Sequence, residues 1–374
     1  MQRIYLDYNA STPIAPEVAA VMRAAIDHAF GNPSSPHWAG VPAHQMVEKA
    51  RSQVADLLGC APEEVVFTSG GSESNNFALK GAFFASKRAR RHIITTRVEH
   101  PAIVAPCRFL ERLGAEITWL PVDGTGRVNP DDIRRAITAD TILISIMHAN
   151  NEVGTIQPIK DCAAVARAHG IPLHTDAAQS VGKIPTRVDD LGVDLLTIAG
   201  HKLYAPKGVG ALYVRNGIAL EPLIHGAGHE CGRRAGTESA VLAAALGEAC
   251  TLAADLTDME KVRNLRDRFW GALRERFGNR VALNGHPEHR LPNTLNVSFV
   301  GQIGANVLAR LDGVAASTGS ACHAGRVELS PVLAAMGVPE EVGMGAVRFS
   351  LGRSTTAEEI EDVVERLSRA IQNA

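Results

Sequence analysis

Between residues 64 and 215, short β-like runs alternate with helical stretches, and this alternation limits the fold more than any other feature of the chain. The runs lie at 64–68, 92–96, 116–121, 141–147, 171–176, 194–199 and 210–214. Most are apolar and bounded by turn or helix signals, and segments such as 129–138 and 152–169 between them have helical composition. Strand–helix–strand repetition of this kind builds an α/β fold around a mainly parallel sheet, here one of seven strands. From 239 to 277 the sequence becomes rich in alanine, leucine and charge and reads as long helix. Strand-like 293–300 and 345–351 follow, then an amphipathic helix at about 356–371. This tail reads as a smaller α+β domain. The expected division is a large domain over 14–255, with 1–13 and 256–374 forming the small one. The short strand near 4–7 can join either domain by pattern, and the division assigns it to the small one.

Composition excludes several classes of function. The 374 residues suffice for two packed cores. With 45% hydrophobic and 21% charged residues, the chain lies near the globular average. A formal net charge of −2 supplies no global basic field for nucleic acid or an anionic membrane, and the basic run at 87–91 is short enough to be a solvated helix end. No segment approaches the uninterrupted apolar length of a membrane-spanning helix. Asp7 stands where a secretory signal needs its apolar stretch. The 6 cysteines (Cys60, Cys107, Cys162, Cys231, Cys250 and Cys322) show neither close-paired metal spacing nor a disulfide framework. Several fall in apolar helical contexts and read as inert core residues. A reducing, cytoplasmic location is the expectation.

The residue with the most chemical content is Lys202, which closes the apolar run at 194–199. An amine at the end of a buried strand loses hydration, which disfavours the ammonium and leaves a nucleophile able to form a Schiff base with an aldehyde. A lysine after a strand also serves as an ordinary solvated loop residue. Asp176, at the end of the preceding strand, tips the reading. A lysine for an aldehyde and an aspartate for a pyridinium nitrogen are the pair that pyridoxal phosphate requires.

Further segments supply candidates. In Val65-Val-Phe-Thr-Ser-Gly-Gly-Ser-Glu-Ser-Asn75 a strand runs through glycines into a helix. Backbone amides and the helix dipole there suit a phosphate, with Ser72 as an added donor. The same stretch also reads as a plain N-cap at Ser72 or Ser74. Neither a Gly-x-x-x-x-Gly-Lys-Ser/Thr nor a Gly-x-Gly-x-x-Gly pattern fits, which weakens nucleotide alternatives. His100 follows a strand, where an imidazole can stack on a flat ring and exchange protons near neutral pH. Ligands of open α/β sheets bind at the carboxyl ends of the strands, so His100, Asp176 and Lys202 are expected on one rim. Asn150 and Asn151 either join that rim or form an Asx turn. Cys322 lies among small residues in Ala316-Ser-Thr-Gly-Ser-Ala-Cys-His-Ala-Gly-Arg326, where His323 can stabilise a reactive thiolate; an idle exposed cysteine is the other reading. Arg348 either grips a carboxylate through two parallel hydrogen bonds or decorates a strand.

Taken together the chain resembles the cysteine desulfurases of the class V, fold-type I pyridoxal phosphate-dependent aminotransferase superfamily, nearly end to end. The resemblance is carried by Tyr5-Leu-Asp-Tyr-Asn-Ala-Ser-Thr-Pro13, Gly31-Asn-Pro-Ser-Ser35, Phe67-Thr-Ser-Gly-Gly-Ser-Glu-Ser74, Asn150-Asn-Glu152, Asp176-Ala-Ala-Gln179, Gly200-His-Lys202, Gly236-Thr237 and Gly319-Ser-Ala-Cys322. It implies that Lys202 carries pyridoxal 5'-phosphate, Asp176 pairs with the ring nitrogen, His100 stacks on the ring, Gln179 bonds its phenolic oxygen and Asn151 contacts cofactor and substrate. It further implies that Gly71, Ser72 and His201 hold the phosphate, with Thr237 reaching across from the other subunit of a homodimer. Arg348 would grip the α-carboxylate of L-cysteine, and Cys322 would take the sulfur as a persulfide. L-alanine would leave, His100 would assist proton transfers, and the sulfur would pass to an acceptor such as an iron–sulfur scaffold protein. The added run at 325–335 resembles the longer-looped members that deliver sulfur to scaffolds.

One departure concerns Ala199, where many desulfurases have a serine hydroxyl to the phosphate. Its loss weakens cofactor binding by about 1–3 kcal/mol at most. Ala199, Ala321-Cys-His323 and Asn32-Pro-Ser-Ser-Pro-His37 are also similar to selenocysteine lyases, so L-selenocysteine stands as the alternative substrate.

Overall fold

The computed structural model describes residues 3–318, 321–323 and 326–372. After a two-residue strand β1 (Ile4–Tyr5), the chain lays down β2 (Val65–Thr68), β3 (Arg91–Thr96), β4 (Ala115–Leu120), β5 (Thr141–Ser145), β6 (Leu173–Asp176), β7 (Leu195–Ala199) and β8 (Gly210–Val214). Strands β2 to β8 form one 7-stranded sheet in the order β2-β8-β7-β6-β5-β3-β4. Neighbours from β7 to β4 run parallel, whereas β8 is antiparallel to both β7 and β2. The exception has a simple cause: only residues 200–209 join β7 to β8, too few for a parallel crossover with its helix. The expected α/β class with a mainly parallel sheet is the one observed.

Every residue of β5 through β8 is buried, because helices cover both faces. Adjacent residues along a strand serve opposite cores. Leu196 and Ile198 pack in the cluster that also takes Val54, Leu58 and Leu246 from the helices Gly40–Leu58 and Ala240–Ala253. Leu195 packs instead with Phe77 and Phe83 of the helix Gly71–Ala85 and Ile103 of the helix Pro101–Glu111.

Two helical expectations are revised. The stretch 152–169 is helical only over Ile159–Ala168. Before it, Asn150 Oδ1 accepts from the Glu152 and Val153 amides, and Gly154 adopts a φ of 79°, so the chain turns instead of coiling. The stretch 239–277 is two helices, Ala240–Ala253 and Thr257–Phe277, bent by 72°. Asp255 Oδ1 accepts from the Thr257 amide at 2.9 Å, starting a new helix rather than continuing the old one. Among the described residues, no single helix is long and apolar enough to cross a membrane.

The remaining strands are β9 (Val281–Asn284), β10 (Thr294–Phe299), β11 (Val314–Ala315), β12 (Ser317–Thr318), β13 (Ala321–His323), β14 (Arg326–Glu328) and β15 (Ala346–Ser350). An antiparallel sheet is ordered β12-β15-β10-β9, and β1 lies parallel to β11. Ile4 and Leu6 thereby share a core with Phe269, Phe299, Phe349 and Leu367, so the two ends of the chain are packed together. Cys322 stands on the hairpin β13–β14, opposite Val327; its side chain, with residues 319, 320, 324 and 325, lies outside the described residues.

Phe269 is fully buried and meets the Phe349 ring edge-on at 5.0 Å. Phe269→Ala is expected to remove about 3–5 kcal/mol of stability, read as a lower urea midpoint for this core.

Candidate active site

The carboxyl ends of the parallel strands open onto a cleft of about 620 Å³. Its walls come from successive strand ends: His100 after β3, Asn151 after β5, Asp176 at the end of β6, and Lys202 in the tight turn that follows β7. Gly71 and Ser72 enter from the helix that follows β2, and Gln179 and His201 complete this side. The opposite wall is Arg348 of β15 with Asn9 and Ala10 of the N-terminal segment, so the cleft lies between the two main cores. Nine of the sequence candidates therefore line one space: Gly71, Ser72, His100, Asn151, Asp176, Gln179, His201, Lys202 and Arg348.

Two candidates stand apart. Thr237 is exposed and lines an adjoining cavity of about 140 Å³, which shares Ser69, Gly208 and Val209 with the cleft. Cys322, as noted, has its side chain outside the described residues. The two asparagines divide their roles: Asn150 is buried in the Asx turn, its amide donating to the Val98 carbonyl at 3.0 Å, while Asn151 faces the cleft. The exposed cysteine among the other five is Cys231, which the composition did not distinguish; Cys107, Cys162 and Cys250 are buried.

Lys202 Nζ donates to the carbonyls of Asn9 at 2.5 Å and Ala10 at 2.8 Å. Burial and then the Arg348 guanidinium pull its pKa down to about 8, against the opposing pull of Asp176 and Asp7. A substantial fraction of neutral amine is thus available near physiological pH. Asp176 is buried, with Oδ2 accepting from Asn75 Nδ2 at 2.7 Å and Oδ1 from the Ala178 amide at 2.9 Å. These two donors hold the carboxylate in a set orientation at the base of the cleft. His100 caps the helix Pro101–Glu111, its Nδ1 accepting from the Ala102 amide at 3.1 Å. Burial lowers its pKa, so the ring is neutral with the proton on Nε2. His201 is likewise pushed down to about 4, first by burial and then by Lys202.

The start of the helix Gly71–Ala85 is built for an anion. Its N-cap is Gly70, at a φ of 144° and with no side chain bonded to the first turn. Ser74, one of the two possible caps, instead bonds Thr68 Oγ1 at 2.7 Å within the core. The first-turn amides and the dipole are thereby left for a ligand. A Cβ on Gly71 would come within 3.1 Å of Ala199 Cβ, so the glycine permits the close approach of helix and strand end. On the cleft wall, Ser11 Oγ, Asn75 Oδ1 and Arg348 Nε are buried without a hydrogen-bond partner. These features fit an elongated ligand with an anionic end at Gly71, an aldehyde near Lys202 and a basic ring nitrogen facing Asp176. No group of three or more potential metal ligands exists among the described residues.

Sequence reasoning missed four contributors. Asn9 is buried at the junction, its carbonyl accepting from both Lys202 and Gln179. Asn75 orients Asp176; its position on the cleft side of the helix, one turn beyond Gly71, was the available signal. Lys183, buried, donates to Gln179 Oε1 at 3.0 Å, and burial followed by Lys202 lowers its pKa to about 7. It fixes the Gln179 amide with Nε2 toward the cleft, a relation that the four-residue spacing hinted at. Asp7 forms an ion pair with Arg348 at 2.8 Å. A second cavity, about 830 Å³, is walled by Arg51, Glu230 and Cys231. There Arg51 and Glu230 satisfy each other at 2.7 and 3.0 Å, which assigns them to structure.

The aminotransferase class-V family matches residues 4–363. A cysteine desulfurase IscS of Dictyoglomus turgidum is 48% identical, covering 99% of this chain and 95% of that protein. A protein of the same name from Methanosarcina thermophila is 45% identical over 99% of this chain and 92% of its own length. Among solved structures, a NifS-like protein superposes with a TM-score of 0.94 at 35% identity, covering 100% of both chains. A structure described as SspA in complex with cysteine gives 0.85 at 38% identity, over 94% of this chain and 100% of that one.

The electrostatics of Lys202 have a direct readout. Modification of this residue by an amine-reactive reagent, quantified by peptide mass spectrometry, is expected to rise with pH around a midpoint of about 8. Arg348→Met removes a positive neighbour, so the midpoint should move up; Asp176→Asn removes a negative one and should move it down.

Proposed function

Because the chain belongs to the class-V aminotransferase family, we propose that it is a pyridoxal phosphate-dependent cysteine desulfurase. The observation that carries this reading is the convergence of Lys202, Asp176 and Arg348 in one cleft, with a helix N-terminus open to an anion on its wall. Gly71, Ser72 and His201 would hold the phosphate, Lys202 the aldehyde, Asp176 the ring nitrogen, His100 a ring face and Gln179 the phenolic oxygen. When bound, pyridoxal phosphate supplies an electron sink for the substrate α-carbon.

The residues of the chain then divide the work. Arg348 binds the α-carboxylate of L-cysteine, and Asn151 lines the same end of the cleft. Lys202 Nζ, with its lowered pKa, takes the α-proton. Asp176, held by Asn75 and the Ala178 amide, keeps a proton on the ring nitrogen. His100 Nε2 is placed to pass protons at the cleft wall. The Cys322 thiolate attacks the substrate sulfur, the Cβ–Sγ bond breaks, and the sulfur remains on Cys322 as a persulfide while L-alanine leaves. An acceptor protein such as an iron–sulfur scaffold then takes the sulfur. A thiol with this role needs a reducing compartment, and the cytoplasm supplies one. The reading includes a homodimer: Thr237, exposed beside the cleft of its own chain, is of the kind that a second copy would donate.

Two variants separate the roles. Lys202→Ala is expected to abolish both alanine formation and the absorbance band of cofactor bound covalently to the lysine. Cys322→Ala is expected to retain the absorbance and lose protein-bound sulfur; release of sulfur at the wild-type rate would show that another group takes it. Position 199 gives a third test, because its methyl group faces Gly71 at the anion cradle. Ala199→Ser should tighten cofactor binding by about 1 kcal/mol, measured as a roughly fivefold lower dissociation constant.

A further inference from the structure

Arg348 is already occupied by a carboxylate of its own chain. Its Nη2 donates to Asp7 Oδ1 at 2.8 Å and its Nη1 to the Asn151 carbonyl at 2.8 Å, while Nε is buried without a partner. The side chains of Arg348 and Asp7 are only 11% and 17% exposed, so the pair is weakly screened. Asp7 also has a second set of bonds. Ser317 Oγ lies 2.9 Å from each of its carboxylate oxygens, and Ser317 is the residue of β12 that faces Arg348 in the register with β15.

We propose that Asp7 is a positioning residue for the substrate: the resident counter-ion of Arg348, which an incoming α-carboxylate displaces. The inference rests on the proposed role of Arg348 and deepens it. In the free cleft Asp7 neutralises a guanidinium that stands beside the Lys202 amine, avoiding two uncompensated cations in one partly buried space. A substrate carboxylate brings the same charge, and its second oxygen can complete the unused Nε where Asp7 makes a single hydrogen bond. The exchange costs Asp7 its ion pair, but Ser317 keeps it hydrogen-bonded. Two carboxylates then lie close together, which holds the affinity for amino acids below what Arg348 alone would give. The product L-alanine carries the same carboxylate as the substrate, so the competition also hastens its departure.

The test compares two amines that differ in the carboxylate. Cofactor-loaded wild type and Asp7→Asn are titrated with L-alanine and with ethylamine, following cofactor absorbance. Asparagine keeps the size and an acceptor oxygen but removes the charge. It is expected to tighten L-alanine binding about tenfold and to leave ethylamine binding within about twofold. Weaker or unchanged L-alanine binding, or an equal change for both amines, would overturn the proposal in favour of a purely structural Asp7. If Asp7→Asn fails to fold, Asp7→Ser, also uncharged, is judged by the same ratio. Turnover of L-cysteine by wild type is measured alongside. Absence of alanine product would sink the desulfurase reading, while the ligand comparison would still decide the role of Asp7.

Discussion

The arrangement depends on keeping one amine poorly hydrated. Lys202 sits at a strand end with Nζ against two backbone carbonyls, and burial contributes more to its lowered pKa than any neighbouring charge. A water-exposed lysine at neutral pH is almost wholly ammonium and a poor nucleophile. The sheet supplies the dry floor, because all of β5 to β8 is buried beneath the cleft. The second core supplies the lid side, with Arg348 adding a cation that further disfavours the ammonium. Asp176 and Asp7 oppose this pull, and the amine is left with a pKa of about 8.

The N-terminal segment is the hinge of this electrostatic balance. Asn9 offers its carbonyl to Lys202 and Gln179, its side-chain amide donates to the Asn151 carbonyl and to Thr294, and its amide N–H donates to Ser350. A handful of residues thus joins the sheet-bearing core to the smaller one at the point where the chemistry is proposed. Behind it Lys183, a second dehydrated amine, orders Gln179, and Asn75 orders Asp176. Buried neighbours thus hold several of the groups that line the cleft, which keeps a multi-residue site in register.

Much of the fold was legible from the chain. Strand runs ending in Asp176 and before Lys202, and the glycine-rich entry to the helix at Gly71, follow local rules of period and turn chemistry, so β2 to β8 appeared at nearly the expected positions. Errors arose where a side chain overrode composition. Asn150 and Gly154 turned part of an expected helix into a loop, and Asp255 broke a helical run in two. Both are capping and turn effects of single residues within an otherwise helical composition.

By itself, the order of residues determined an alternating α/β chain, a lysine and an aspartate at strand ends, and a rim on which they would meet, because strand direction and side-chain alternation follow from local covalent geometry. Only the tertiary structure decided what surrounds those groups. Asp7 meets Arg348 across 341 positions of sequence and Asn9 meets Lys202 across 193. Such contacts arise from the packing of β1 and β15 into one core, to which no local pattern corresponds. Electrostatic tuning acts through distances in space, so it became visible only once the two ends of the chain had closed over the sheet.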